Sequence, residues 1–129
     1  MADSSRLYTS EKLSSSLINC VTQDKYGFMW IGTEYGLSKF DGYKFTNYLH
    51  NNKDTTSIAD NIISSFLVDK EGRLWIGCAK GLMRYNATND NFIQYHFPDG
   101  RKPRIYDIIE SRNGDILMGT AGFGLYSIK

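Results

Sequence analysis

The chain has 129 residues, of which 41% are hydrophobic and 22% charged, enough for one domain with its own core. Its 15 Lys and Arg residues against 14 Asp and Glu residues give a net charge of +1, so we expect no nucleic-acid partner. No apolar run approaches the roughly 18 residues of a spanning helix, so we expect no membrane contact. Cys20 and Cys78 lie far apart without metal-ligand spacing, which predicts two buried free thiols, no metal site and no cofactor.

The chain contains three related segments. Phe28–Thr33 (FMWIGT) recurs as Arg73–Cys78 (RLWIGC) and, more weakly, as Asp115–Thr120 (DILMGT). The glycine near the end of each segment recurs after 45 and then 42 residues, and a Gly-Leu pair follows every copy. A period in the forties with strand-like content predicts one four-stranded antiparallel propeller blade per repeat. We therefore predict an all-β partial β-propeller with two full blades and a third that lacks its outer strand.

In chain order, residues 1–12 form an extension that could act as an outer strand. Blade 1 covers residues 13–57, with predicted strands Leu17–Gln23, Phe28–Thr33, Gly36–Phe40 and Tyr43–Leu49. Blade 2 covers 58–102, with predicted strands Ile62–Val68, Arg73–Cys78, Leu82–Asn86 and Asn91–Phe97. The partial blade 3 covers 103–129, with strands Ile105–Glu110, Ile116–Thr120 and Leu125–Ile128.

Turn and contact residues recur with the strands. Asp24-Lys-Tyr-Gly27 and Asp69-Lys-Glu-Gly72 precede the second strand of their blades. Asp bonds its own backbone in a turn and Gly accepts a positive φ, so DxxG is predicted as a turn rather than a metal or catalytic site. The glycine after Trp-Ile is predicted to let neighbouring sheets approach closely.

The pattern DxxGxxWIGTxxGLxxF, which spans Asp24–Phe40, is followed by Asp-Gly-Tyr-Lys-Phe. It resembles the regulator-propeller repeats of bacterial hybrid two-component sensors, especially those of Bacteroides relatives. The stretch Leu13–Ile18 is similar to the start of the first propeller in that family, and the resemblance covers about Leu7–Lys129. The third repeat departs from the pattern, with Ser111 in place of Asp and Leu117 in place of Trp.

The resemblance implies a sensor with two tandem periplasmic propellers, an immunoglobulin-like domain, one transmembrane helix, a histidine kinase, a receiver and an AraC-type DNA-binding domain. Such proteins sense glycans and switch on polysaccharide-utilisation genes. On this resemblance, we expect the chain to be an N-terminal, periplasmic piece of such a sensor. It would contribute to recognition of a glycan-derived ligand and to signal relay toward the kinase, and it would not itself be an enzyme.

The open ends of the partial ring predict partners. Propellers usually close with about four to eight blades, so two blades and three further strands leave apolar faces and an unpaired edge at Leu125–Ile128. We expect self-association through these ends, besides contact with the remainder of the sensor. One version is a dimer with six blades, in which Leu7–Thr9 of one copy supplies the outer strand of the other's third blade.

A ligand is expected at one end of the blades. In a four-stranded meander, the turn between the second and third strands lies at the same end as the entry to the first strand. We call this end the mouth; it would also hold the connections His50–Asn61 and Pro98–Arg104. Aromatic faces against sugar C–H groups and charged groups near hydroxyls suit an oligosaccharide. The candidate ligand-binding residues are Glu34, Tyr35, Lys80, Arg104 and Phe123, and the alternative is that they are ordinary loop residues.

Two other functions stay open on the sequence. A propeller-type glycan-active enzyme would need a pair of acids at the mouth, where Glu34 and Asp60 are the carboxylates of interest. A protein-interaction scaffold would bind other subunits and no small molecule. His50 and His96 are predicted at the ends of outer strands, without the partners of a catalytic triad.

Overall fold

The computed structural model describes residues 12–129, which form three antiparallel sheets of four, four and three strands. The first sheet contains β1 (Ile18–Gln23), β2 (Met29–Thr33), β3 (Gly36–Phe40) and β4 (Phe45–Tyr48). The second contains β5 (Ile63–Val68), β6 (Leu74–Cys78), β7 (Gly81–Asn86) and β8 (Asn91–Gln94), and the third contains β9 (Ile105–Glu110), β10 (Ile116–Thr120) and β11 (Leu125–Ile128). Strands pair in chain order within every sheet. The predicted partial propeller, with two full blades and a three-stranded third, is confirmed.

The outer strands are shorter than predicted. The first begins at Phe45 because the backbone N–H groups of Tyr43 and Lys44 both donate to Asp41 Oδ1 at 2.9 Å, which makes a turn of these residues. The second ends at Gln94, and a short 3-10 turn follows at Pro98–Gly100. The blade boundaries remain predictions, since they fall in connections between sheets. The outer strand predicted at Leu7–Thr9 lies outside the described residues.

Two core layers hold the three sheets together. The layer between the first and second sheets includes Trp30, Leu37, Ile63, Ile76 and Met83. The layer between the second and third sheets includes Trp75, Leu82, Ile105, Ile116 and Met118. Successive side chains of a strand point to opposite faces, which is why the adjacent residues Trp75 and Ile76 belong to different layers. The strand β6 is buried at every position, as expected for a strand covered on both faces.

The DxxG segments are turns, as predicted. The N–H of Gly27 donates to the carbonyl of Asp24 at 3.0 Å, and that of Gly72 to the carbonyl of Asp69 at 2.9 Å. Both glycines have positive φ, 90° and 80°, which a residue with a Cβ rarely adopts. The turns fix the pairing of the first and second strands at the end opposite the mouth.

The glycine after Trp-Ile lies at the contact between sheets. A Cβ added to Gly32 would lie 2.5 Å from Cγ2 of Ile63, and one added to Gly77 would lie 2.7 Å from Cγ2 of Ile105. Both distances are too short for real atoms, so neither position can hold a larger residue without moving the next sheet. The predicted close approach of neighbouring sheets is confirmed at these two positions.

Candidate functional site

The mouth is assembled by the same backbone contact in each sheet. The turn after the second strand donates an N–H to the residue that enters the first strand. The three bonds are Glu34 N to Leu17 O at 3.0 Å, Ala79 N to Ile62 O at 2.9 Å and Ala121 N to Arg104 O at 3.0 Å. The sheet pairing thereby brings these turns and the connections between sheets to one end of the molecule.

A cavity of about 360 Å³ opens at this end. The connection after β4, the turn between β6 and β7, and the segment from β8 to β9 all contribute to its wall. Its polar and aromatic lining includes His50, Lys80, Tyr95, His96, Arg101 and Lys102. Three of these side chains are formal cations, so the cavity favours an anionic group.

The connection after β4 is anchored around His50. The backbone N–H of His50 donates to Oδ1 of Asn61 at 2.7 Å, and Nδ1 of the His50 ring lies 2.7 Å from the carbonyl oxygen of Ile58. Ile58 is fully buried in the first core layer. A well-packed residue and two short hydrogen bonds therefore hold this wall of the cavity in place before any ligand arrives.

Lys80 is the one sequence-predicted candidate that lines this cavity. Its Nζ lies 3.9 Å from Oδ1 of Asp60, and its side chain is 64% exposed. The other carboxylate oxygen of Asp60 accepts the backbone N–H of Ile62 at 2.9 Å. Asp60 thus contacts both Lys80 and the backbone at the start of β5.

The other candidates lie at the mouth but outside the cavity. Oε2 of Glu34 accepts a hydrogen bond from Nδ2 of Asn19 at 3.3 Å, while Tyr35 is 56% exposed in the same turn.

Phe123 is stacked under the guanidinium of Arg101, with 4.8 Å from Cζ of Arg101 to the ring centroid. Arg104 lies over Tyr106 at 5.7 Å, and its buried Nε has no partner among the described residues.

Sequence reasoning did not single out His50, His96, Tyr95, Arg101 and Lys102 as ligand-binding residues. A signal for them was present. A Tyr near the end of an outer strand stands two residues before His50 and directly before His96, and the basic Arg101-Lys-Pro-Arg104 segment lies in a connection expected at the mouth. The sequence does not show that these connections fold against Lys80. That arrangement depends on how they pack on the second sheet.

A second polar cluster lies at the opposite end, between the first two sheets. The Nζ of Lys39 lies 5.3 to 6.0 Å from the ring centroids of Phe28, Trp30, Tyr85 and Tyr48. The hydroxyls of Tyr48 and Tyr85 donate to Oδ1 of Asp90 at 2.6 and 2.7 Å. Partial burial raises the pKa of Asp90, but these bonds and Lys39 outweigh it and hold the pKa below its usual value. These contacts join the first and second sheets, while the side chain of Asp90 remains 55% exposed.

Comparison with known proteins identifies the repeats. The family model described as two component regulator propeller matches residues 12–35 and 57–80. The extracellular domain of a hybrid two-component system from B. thetaiotaomicron superposes with a TM-score of 0.81 at 28% identity, covering 97% of this chain and 18% of that one. Two of the repeats are two-component regulator propeller repeats. The family resemblance drawn from Asp24–Phe40 is therefore confirmed.

Further relatives agree with this assignment of a regulator propeller. The extracellular domain of a one-component system from B. thetaiotaomicron matches with a TM-score of 0.77 at 26% identity, over 87% of this chain and 16% of that one. Histidine kinase P4 of Formosa agariphila is 49% identical over 47 residues, which are 36% of this chain and 3% of that protein. This regulator propeller segment thus spans less than a fifth of the length of each relative.

The fold extends beyond the sensors. A catalytically inactive virginiamycin B lyase from Staphylococcus aureus shares 18% identity with the regulator propeller segment, with a TM-score of 0.62 over 95% of this chain and 44% of the lyase. At that identity, the likeness concerns the propeller architecture alone.

Residues 12–129 contain no helix with the length and apolar character of a membrane span. The same residues contain no group of His, Cys, Asp and Glu side chains that could hold a metal ion.

Proposed function

We propose that this segment is part of an extracytoplasmic sensor propeller and that its mouth cavity binds a glycan-derived ligand bearing a carboxylate or sulfate. The observation that carries the proposal is the lining of the cavity, where Lys80, Arg101 and Lys102 lie beside Tyr95 and two histidines. The sensor relatives are extracellular domains, which supports a location outside the cytoplasm. The role assigned to this segment is binding, with catalysis left to other parts of a longer protein.

The chemistry of the lining fits an acidic sugar. Lysine and arginine bind carboxylate and sulfate by charge-assisted hydrogen bonds, which are about twice as strong as neutral ones. The ring of Tyr95 offers an aromatic face for sugar C–H groups, and the imidazole of His96 can bond to hydroxyls. Asp60 forms an ion pair with Lys80, but the three cations of the lining outnumber this carboxylate, so the cavity keeps an excess of positive charge.

The position of the cavity also supports signal relay. Its wall combines the exit of the first sheet at His50, the turn at Lys80 in the second sheet, and the connection to the third sheet at Arg101. A ligand that contacts all three favours the arrangement of sheets in which it binds best. We infer that ligand binding biases the relative position of blades, and that the longer protein transmits this bias to a histidine kinase.

Calorimetric titration with two oligosaccharides of equal length, one of galacturonic acid and one of neutral galactose, tests the proposal. We expect heat of binding with the acidic oligosaccharide only, and a loss of affinity of about tenfold for Lys80→Gln or Arg101→Gln, the equivalent of about 1.4 kcal/mol. Lys70→Gln, in the DxxG turn at the opposite end, is the matched control and should bind as the unchanged protein does.

Each other outcome is informative. Equal binding of both oligosaccharides would reject the acidic ligand while keeping a carbohydrate site. Binding that Lys80→Gln and Arg101→Gln leave unchanged would move the site away from the cavity. Absence of binding to either sugar, in a protein shown to be folded by circular dichroism, would reject the ligand proposal and favour a scaffold that contacts other subunits.

A further inference from the structure

Arg101 is held at the mouth cavity by aromatic side chains rather than by an acid. Its Cζ lies 4.8 Å from the ring centroid of Phe123, a shorter cation–ring distance than any other within residues 12–129. Its Nη1 donates to the hydroxyl of Tyr126 at 3.4 Å. Within the same residues no carboxylate oxygen lies within 4 Å of the guanidinium, whereas Lys80 has Asp60 beside it at 3.9 Å. The charge of Arg101 is therefore available to a ligand.

The third sheet supplies both aromatic rings. Phe123 lies in the turn between β10 and β11, which two hydrogen bonds close. The backbone N–H and the hydroxyl of Thr120 both donate to the carbonyl of Gly124, at 3.1 and 2.6 Å. Tyr126 follows in β11 and packs edge-on against Phe97, with 4.9 Å between the ring centroids. The fold thus builds the surface on which Arg101 rests before any ligand arrives.

Stacking leaves the hydrogen-bonding edge of the guanidinium free. A guanidinium that stacks on a ring uses its flat face, while its five N–H donors point outward in its own plane. In the part of the chain that the structure describes, Tyr126 engages one of these donors. The others can form the paired hydrogen bonds by which arginine binds a carboxylate or sulfate. An unsupported arginine would lose more rotamer freedom on binding, because its side chain is long and flexible.

We infer that Phe123 is a positioning residue, which holds the guanidinium of Arg101 at the cavity so that its free N–H donors meet the acidic group of the ligand. The inference rests on the proposed function and adds to it the residue that orients the anion-binding group. This role differs from the direct sugar contact expected from the sequence, because the ring acts through Arg101 from outside the cavity. Since Phe123 belongs to the third sheet, the same stack links a bound ligand to that sheet.

Titration of variants with the galacturonic acid oligosaccharide measures this role. Phe123→Leu removes the ring and should weaken binding by about two- to fivefold, the equivalent of an exposed cation–π contact. In the Arg101→Gln background the same substitution should cost nothing further, because the group that the ring positions is gone. Phe123→Tyr keeps an aromatic ring and should bind as the unchanged protein does. Tyr106→Leu is the matched control and should also bind normally, since it removes the ring that lies 5.7 Å from Cζ of Arg104, outside the cavity.

The stack can also be observed without a ligand, by nuclear magnetic resonance. In the free protein, the ring current of Phe123 should shift the Nε–H proton resonance of Arg101, and Phe123→Leu should return it to the ordinary arginine position. An ordinary resonance in the unchanged protein would overturn the inference, whether or not the sugars bind. So would an unchanged affinity in Phe123→Leu, or an equal loss in the Arg101→Gln background, which would mean that the ring contacts the sugar directly. A shifted resonance without binding of the acidic oligosaccharide would reject the proposed function and, with it, the positioning role, so the two failures are distinguishable.

Discussion

The indole Nε1 of Trp75 donates to Oδ2 of Asp69 at 2.9 Å, across the turn that joins β5 to β6. The other carboxylate oxygen accepts the backbone N–H groups of Glu71 and Arg73 at 3.0 and 2.8 Å. The first blade repeats the bond from Trp30 to Asp24, also at 2.9 Å. One carboxylate thus ties the turn to the core, which explains why Asp and Trp recur together in the first two repeats.

Replacement of Asp69 by Asn should lower the free energy of unfolding by about 1–3 kcal/mol. The amide has one acceptor oxygen where the carboxylate has two, so a buried donor is left without a partner. Urea denaturation measures the loss. Ser111→Ala is the comparison in the third blade, where Leu117 replaces Trp and the Ser111 hydroxyl accepts the N–H of Asp115 at 3.2 Å. Its loss should be smaller, and equal losses would contradict this account of the turn.

Asp69 also predicts how stability depends on pH. Burial raises its pKa, but hydrogen bonds from Trp75 and Arg73 outweigh burial and hold the pKa below its ordinary value of 3.8. A group whose pKa is lower in the folded protein contributes stability that is complete above the ordinary value and is lost as the pH falls through the folded pKa. The deficit of Asp69→Asn, measured by urea denaturation, should therefore be constant near neutrality and shrink below about pH 4. A deficit that grew on acidification would contradict the assignment.

The shared glycines allow a direct comparison of filled and empty contacts. Gly32→Ala should cost about 1–3 kcal/mol, because its Cβ collides with Ile63 and the neighbouring sheet must move. Gly119→Ala should be neutral or stabilising by up to about 1 kcal/mol, because alanine loses less conformational freedom than glycine and a methyl group has open space there. Thermal unfolding of the two variants at one dilute concentration measures the difference. Similar losses in both would show that the glycines serve another purpose.

The two thiols should be poorly reactive in the folded protein. Burial raises the pKa of Cys20 to about 11 and that of Cys78 to about 12, so almost no thiolate is present at pH 8. An aromatic disulfide reagent should label Cys78 only on unfolding, and Cys20, which is partly exposed, slowly. Cys20→Ser and Cys78→Ser variants assign the two rates, and urea provides the reactive reference. Rapid labelling of native Cys78 would contradict its burial.

Much of the fold could be predicted because its determinants are local and repeated. The bounds of β9, β10 and β11 match the predicted strands, and the turns at Gly27 and Gly72 follow from DxxG. Both outer strands are shorter than predicted. In the first, the Asp41 side chain takes the backbone N–H groups that a longer strand would pair. The sequence predicts which turns and connections meet at the mouth, but it does not predict the cavity beside Lys80.

By itself, the sequence determined the blade period, the antiparallel meanders and the sensor family, since glycine, aspartate and tryptophan at fixed spacing set turns and strand pairing within about 20 residues. Only the tertiary structure decided which surfaces are free. Leu37 and Leu125 occupy equivalent positions, yet one is fully buried and the other 70% exposed. The physical reason is that burial depends on a neighbouring sheet that is far away in sequence. The gathering of His50, Lys80 and Arg101 around one cavity and the open space at Gly119 depend on such distant contacts in the same way.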